Sequence, residues 1–205
     1  KETQATTHDT PAVRRRRITP AVVGLIVIVA LGFVVKEYRY HFVPKRFDVV
    51  EPDRIYRSGL LKPGPLKTVV EQHDIRTILT LLSEEPDDPD QQAEQELAAS
   101  KGIELIRIPM PGDGCAEFDK LEQAAAVLEQ HRDGAMLVHC AAGVQRTGAV
   151  IGAWRMRYHG WSLQQAIDDL TAHGHDVGEN ELIEHLTHFH AERIAPVDAS
   201  ADPAP

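Results

Sequence analysis

Cys140 is followed six positions later by Arg146 and then directly by Thr147, within the run AMLVHCAAGVQRTGAVIGAWRMR. A free thiol ionises near pH 8.5, roughly, whereas one held at a helix N-terminus beside a cation ionises well below that, and the thiolate is the nucleophile. The run supplies such a place. An apolar stretch ends at His139, a loop of small residues follows, and an amphipathic helical pattern begins. Successive N–H groups from Ala141, Ala142, Gly143, Val144, Gln145 and Arg146 can curl around one anion, and the helix end adds its partial positive charge. Arg146 falls in the first helical turn, where its planar fork can grip two phosphoryl oxygens at once. Thr147 brings a hydroxyl to the sulfur and eases its later departure, and His139 is expected to orient the loop through a backbone hydrogen bond. The chemistry expected of this constellation is attack of sulfur on phosphorus. The nucleotide-binding pattern GxxxxGK[ST] is absent, so nucleoside triphosphate hydrolysis is not indicated.

Expelling an alkoxide or phenoxide from phosphorus requires a proton donor, ordinarily a carboxylic acid on a loop. The segment PMPGDGCAEFD carries three. Asp113, 27 positions before Cys140, is the first candidate, and Glu117 and Asp119 remain alternatives. Cys115 in the same segment is either an idle thiol or, on oxidation, a disulfide partner for Cys140.

These residues need a scaffold that brings strand ends and helix starts to one edge. Apolar, β-rich runs at residues 54–57, 76–82, 104–109 and 135–139 alternate with helical patterns at 65–73, 90–101 and 118–131, and further helices follow at 146–159, 162–173 and 179–193. Such alternation predicts an α/β fold with a central, mainly parallel sheet of four or five strands flanked by helices. The Pro- and Asp-rich EEPDDPD marks the turn into the second helix.

The segment HCAAGVQRTG resembles the HCxxGxxR[ST] signature of the protein tyrosine and dual-specificity phosphatase superfamily, at every signature position. The likeness extends over about residues 50–175. IYRSG at 55–59, IRTILTLL at 75–82, the acidic pair Glu84 and Glu85, and Gly160-Trp161-Ser162 are similar to the compact atypical dual-specificity members of bacteria, plants and fungi. The resemblance implies a cysteine-phosphatase fold and hydrolysis of phosphate monoesters through a phosphocysteine, without a metal or cofactor. It implies Cys140 as nucleophile, Arg146 as phosphoryl grip and Asp113 as acid. Superfamily substrates range from phosphoproteins to inositol pyrophosphates. The variable loop positions Ala141, Ala142, Val144 and Gln145 carry no charge, which points toward a phosphoprotein with phosphotyrosine among its targets. A small phosphorylated metabolite, inositol-phosphate or phosphoinositide, is the alternative substrate. A catalytically inactive phosphate-binding module is the rival of another class, and intact Cys140, Arg146 and Thr147 weigh against it.

Composition narrows the partners. Net charge is −9, from 22 basic and 31 acidic residues, and aromatics are 5%, so a cationic, base-stacking nucleic-acid surface is not expected. A monomer is expected. Two cysteines are too few for a disulfide framework or a zinc site, and His185, His188 and His190 read as helix decoration. Residues 1–17 read as a disordered arm ending in four arginines. Residues 18–35 are uncharged over eighteen positions, about 27 Å as a helix, close to the hydrocarbon thickness of a bilayer. One transmembrane helix is expected there, then a connector at 36–50 whose Lys36, Arg39, Lys45 and Arg46 leave the orientation undecided. The catalytic domain is expected over 51–195 and a disordered tail over 196–205.

Overall fold

The computed structural model describes residues 27–29, 32, 38–131, 134–176, 178 and 180–195. Two compact units divide at Arg39. The expected arm at 1–17 and tail at 196–205 lie outside the described residues, as does most of the apolar run at 18–35; its described positions, Val27 to Val29 and Gly32, are helical and exposed. Among the described residues no helix is long and apolar enough to cross a membrane.

From Tyr40 onward the chain builds a five-stranded sheet of β1 (Asp48–Glu51), β2 (Ile55–Gly59), β3 (Ile75–Thr80), β4 (Glu104–Arg107) and β5 (Ala135–Cys140), in the order β1-β2-β5-β3-β4. Only β1 runs antiparallel to its neighbour; β2, β5, β3 and β4 are parallel. The four sequence-predicted strands are all present. The fifth, β1, falls at the junction of the expected connector, 36–50, and the expected domain. It forms by pairing Asp48 with Arg57 and Val49 with Tyr56, so ordered structure starts ahead of residue 51.

β5 is the central strand, and all six of its residues are buried, as a parallel strand covered on both faces should be. Its alternating side chains serve two cores. Ala135 and Leu137 join Leu66, Val69, Val70, Ile78 and Ala98 beneath α1 (Pro63–Gln72) and α2 (Pro89–Lys101). Met136, Val138 and Cys140 face Leu121, Leu128, Val150, Trp154, Leu170 and Phe189 from α3 (Phe118–Gln130), α4 (Gln145–His159), α5 (Leu163–Ala172) and α6 (Asn180–Phe189). The period of two in β5 thus aims Cys140 at one layer and His139 at the other.

Helix ends follow local chemistry. Asp88 caps α2 by accepting from the amides of Asp90 (2.8 Å) and Gln91 (3.1 Å), with Pro89 opening the helix and Gly102 closing it in the left-handed region. Ser162 and Gln165 form a reciprocal capping box on α5. α4 buries nine residues along a face of Gly148, Ala149, Gly152 and Ala153, and these small side chains let it approach β5, α3 and α5 closely. The expected last helix ends at Phe189 and continues as a π-helical turn, His190–Ile194.

Candidate active site

Parallel strands deliver their C-terminal ends to one edge, where open α/β sheets place ligand sites. Gly59 pairs with Cys140 and Thr80 with His139, so the ends of β2, β3 and β5 meet there. The chain leaves β5 at Cys140, bends through Ala141 to Val144 and enters α4 at Gln145. The expected strand-loop-helix layout is therefore present.

Cys140 is buried at its floor, with the Gly143 amide donating to Sγ at 3.2 Å. Burial alone pushes its thiol pKa up. The Thr147 hydroxyl, the Thr147 and Gly143 amides and the positive charge of Arg146 outweigh that, and the net result is a pKa below the ordinary thiol value. Thr147 is fully buried and its hydroxyl has no other partner among the described residues, which suits it to serve the sulfur. Among the described residues the Arg146 guanidinium is anchored by a long bond, Nη1 to the Leu81 carbonyl at 3.5 Å, while its Nε is buried without a partner. Such a fork is held in place yet has donors left for an oxyanion.

The acid-bearing segment lies against the cradle. A Cβ on Gly114 would come within 3.0 Å of the Gln145 backbone, so only glycine permits this approach. Asp113 directly precedes it, with Oδ1 accepting from the Cys115 amide at 2.9 Å. Asp113 and Gln145 share a cavity of about 320 Å³ with His175, Asn180, Glu181 and Leu182. Glu117 stands exposed ahead of α3, and Asp119 is engaged by Arg193 at 2.8 Å. The structure thus brings Asp113 to the cradle and commits Asp119 elsewhere. Cys115 and Cys140 are both free thiols; burial, with Asp113 and Glu181 nearby, raises the pKa of Cys115 and keeps it protonated.

Behind the cradle stand residues that the motif does not contain. His139, 1% exposed, has Nε2 at 2.9 Å from Oε1 of Glu94 on α2, itself 2% exposed. Burial lowers the His139 pKa, but the Glu94 carboxylate and the Cys140 thiolate overcome it, and the net shift is upward. The Glu94 contact comes in addition to the expected backbone interaction of His139, which falls at Cys140. On the other side Arg57, 1% exposed, donates to Asp169 at 3.0 Å and to the Gly143 carbonyl at 3.3 Å. Asp169 also meets His173, whose Nε2 reaches Asp48 at 3.1 Å. Desolvation lowers the Arg57 pKa against the pull of Asp169. A basic residue in the middle of IYRSG, in a strand buried throughout, was the available signal for Arg57; nothing local marks Glu94 or Asp169. His185, part of the C-terminal histidine cluster, donates from Nε2 to the Ala116 carbonyl at 2.8 Å.

Comparison with known proteins fits this geometry. The chain is 30% identical over 132 residues to the inositol diphosphatase DSP1 of Oryza sativa subsp. japonica, covering 62% of this chain and 55% of that protein. It is 19% identical over 120 residues to the dual specificity protein phosphatase TpbA of Pseudomonas aeruginosa, covering 58% and 51%. It thus spans little more than half the length of these curated relatives. The core catalytic domain of the PP-IP phosphatase SIW14 from S. cerevisiae shares the fold with a TM-score of 0.61 at 22% identity, over 77% of this chain and 93% of that one. Residues 54–185, more than half of the sequence, match the family described as DSP-PTPase phosphatase fused to NAD+ kinase, and the chain belongs to that family.

Proposed function

We propose that the chain hydrolyses phosphate esters or diphosphates through a phosphocysteine on Cys140. The observation that carries this reading is a buried thiol with depressed pKa at the floor of an amide loop, served by Gly143, Thr147 and Arg146. Sγ attacks phosphorus as the bond to the leaving oxygen breaks, and Asp113 gives that oxygen its proton. Asp113, now a carboxylate, takes a proton from water; the water oxygen attacks the phosphocysteine, the S–P bond breaks, and inorganic phosphate leaves with the thiolate restored. Arg146 holds the equatorial oxygens through both steps.

For substrate, a small polyphosphorylated metabolite of the inositol diphosphate class takes first place. The relatives named for that activity support it. A phosphoprotein, phosphotyrosine included, is the second reading, favoured by the uncharged Ala141, Ala142, Val144 and Gln145. The test compares kcat/KM for an inositol diphosphate and a phosphotyrosyl peptide, with Cys140→Ser as blank. A preference of at least about tenfold for the diphosphate, worth about 1.4 kcal/mol, supports the first reading; the reverse preference replaces it with the second.

Residues 18–35 are read as a membrane anchor, from their uncharged spanning length. The full chain should sediment with vesicles and be released by detergent but not by salt; a chain that stays in the supernatant removes the anchor.

A further inference from the structure

Three successive loop carbonyls are met by cations. Lys45 Nζ donates to the Ala141 carbonyl at 2.8 Å, Arg46 Nη1 to that of Ala142 at 3.0 Å, and Arg57 Nη2 to that of Gly143 at 3.3 Å. Lys45 and Arg46 lie 96 positions from their acceptors and belong to no part of the phosphatase motif. Their placement is built in several ways. The Gly59 amide donates to the Lys45 carbonyl at 2.8 Å. Any Cβ on Gly59 would collide with Lys45 Cδ and with the Ala141 and Ala142 carbonyls, so the segment and the loop meet over a position only glycine can fill. Phe47 stacks on Tyr56 at 5.6 Å and packs beside His73, which fixes the segment to the domain. Arg46 itself adopts φ of 47°, a left-handed conformation that costs a non-glycine residue energy and persists where the surroundings demand it.

One peptide plane links Arg46 to the nucleophile. The Ala142 carbonyl accepts from Arg46, and the amide of the same peptide group, that of Gly143, donates to Cys140 Sγ at 3.2 Å. A cation on a carbonyl oxygen draws electron density through the peptide and strengthens its N–H as a donor. The Lys45 contact polarises the neighbouring plane, whose amide is that of Ala142.

We propose that Lys45 and Arg46 form a cationic strap across the outer side of the cradle, as positioning residues that fix the loop in its anion-binding shape and, through the Ala142–Gly143 peptide, stabilise the Cys140 thiolate. This deepens the phosphatase reading and rests on it for its significance. Other charges around the sulfur are Arg146 from α4, Arg57 from β2, and His139 with its partner Glu94 on α2, and none of these is changed in the strap variants.

The test uses the full chain with Arg46→Met, Arg46→Lys and Lys45→Met, and two readouts independent of turnover. The first is the pH midpoint of Cys140 alkylation by iodoacetamide, resolved from Cys115 by peptide mass. The second is the affinity for inorganic tungstate. Arg46→Met should raise the midpoint by about half a unit to one unit and weaken tungstate by about tenfold, the scale of one charge-assisted hydrogen bond. Arg46→Lys should recover most of both, and Lys45→Met should weaken tungstate with a smaller change in midpoint. An unmoved midpoint and unchanged tungstate affinity in Arg46→Met overturn the strap, as does a variant that loses thermal stability alone. Because neither readout needs a substrate, a wild-type chain that hydrolyses nothing would refute the proposed function and leave the strap to stand or fall separately.

Discussion

The two sides of the cradle differ in origin. Its inner side, where sulfur, amides and the Arg146 fork converge, comes from consecutive residues, Cys140 to Thr147. Its outer side is assembled from distant places: Lys45 and Arg46 ahead of β1, Arg57 on β2, Asp169 on α5, and Glu94 on α2 behind His139. Chemistry on the inner side needs fixed relative geometry, which a short loop between a buried strand and a helix supplies. The outer side decides whether that loop keeps its shape, because its carbonyls face groups that must be held by tertiary packing. Inner substitutions should therefore cost rate in a folded protein. Outer ones should cost stability, or shift the ionisation of the sulfur.

Asp113→Asn, in the segment that lies against the inner side, gives the largest expected rate effect after loss of the nucleophile itself. Turnover of alkyl phosphates should fall by about 10²- to 10⁴-fold, while activated aryl phosphates, and diphosphates whose leaving group is already a phosphate anion, should lose less. Glu117→Gln showing that leaving-group dependence in place of Asp113→Asn would move the acid to Glu117. Arg146→Lys should slow turnover by about 10²- to 10³-fold, since a point charge cannot reproduce the bidentate fork, with the melting temperature nearly unchanged. A large fall in melting temperature would put Arg146 among the supports.

On the outer side, Glu94→Gln should act on stability, and with a characteristic pH dependence. His139 has a folded pKa above the ordinary histidine value of about 6.5, so the pair's contribution is complete below that value and is lost as pH rises through the raised pKa. Chemical denaturation should find the variant weakened most in mildly acidic buffer, by an amount on the order of 3 kcal/mol for breaking a buried ion pair. A deficit that is the same at acidic and alkaline pH would mean that His139 is not the titrating partner.

The same contrast explains what the sequence made legible. The strand-loop-helix run around Cys140 is contiguous and strongly patterned, so its layout was readable, as were the alternating β and α runs. Three of the supports give no local signal. Glu94 looks like one more exposed acid in a polar helix, Asp169 like a solvated position on α5, and β1 like a connector, because each acquires its role only when the sheet aligns β2 beside β5. Lys45 and Arg46 read naturally as cations flanking an apolar run, and only the fold reveals that they reach the loop carbonyls. The uncharged loop positions stand as read, and the cations that meet the loop come from 96 positions away and engage its carbonyls.

The most direct test of the account is rapid acid quench of the full chain during turnover of a phosphate ester labelled at phosphorus, followed by peptide mapping. The label should appear in burst amount on the peptide containing Cys140 and be absent in Cys140→Ser, which should still bind tungstate. Label on another residue, or steady release of phosphate with no labelled peptide and with Cys140→Ser as active as the wild type, would contradict Cys140 as the nucleophile.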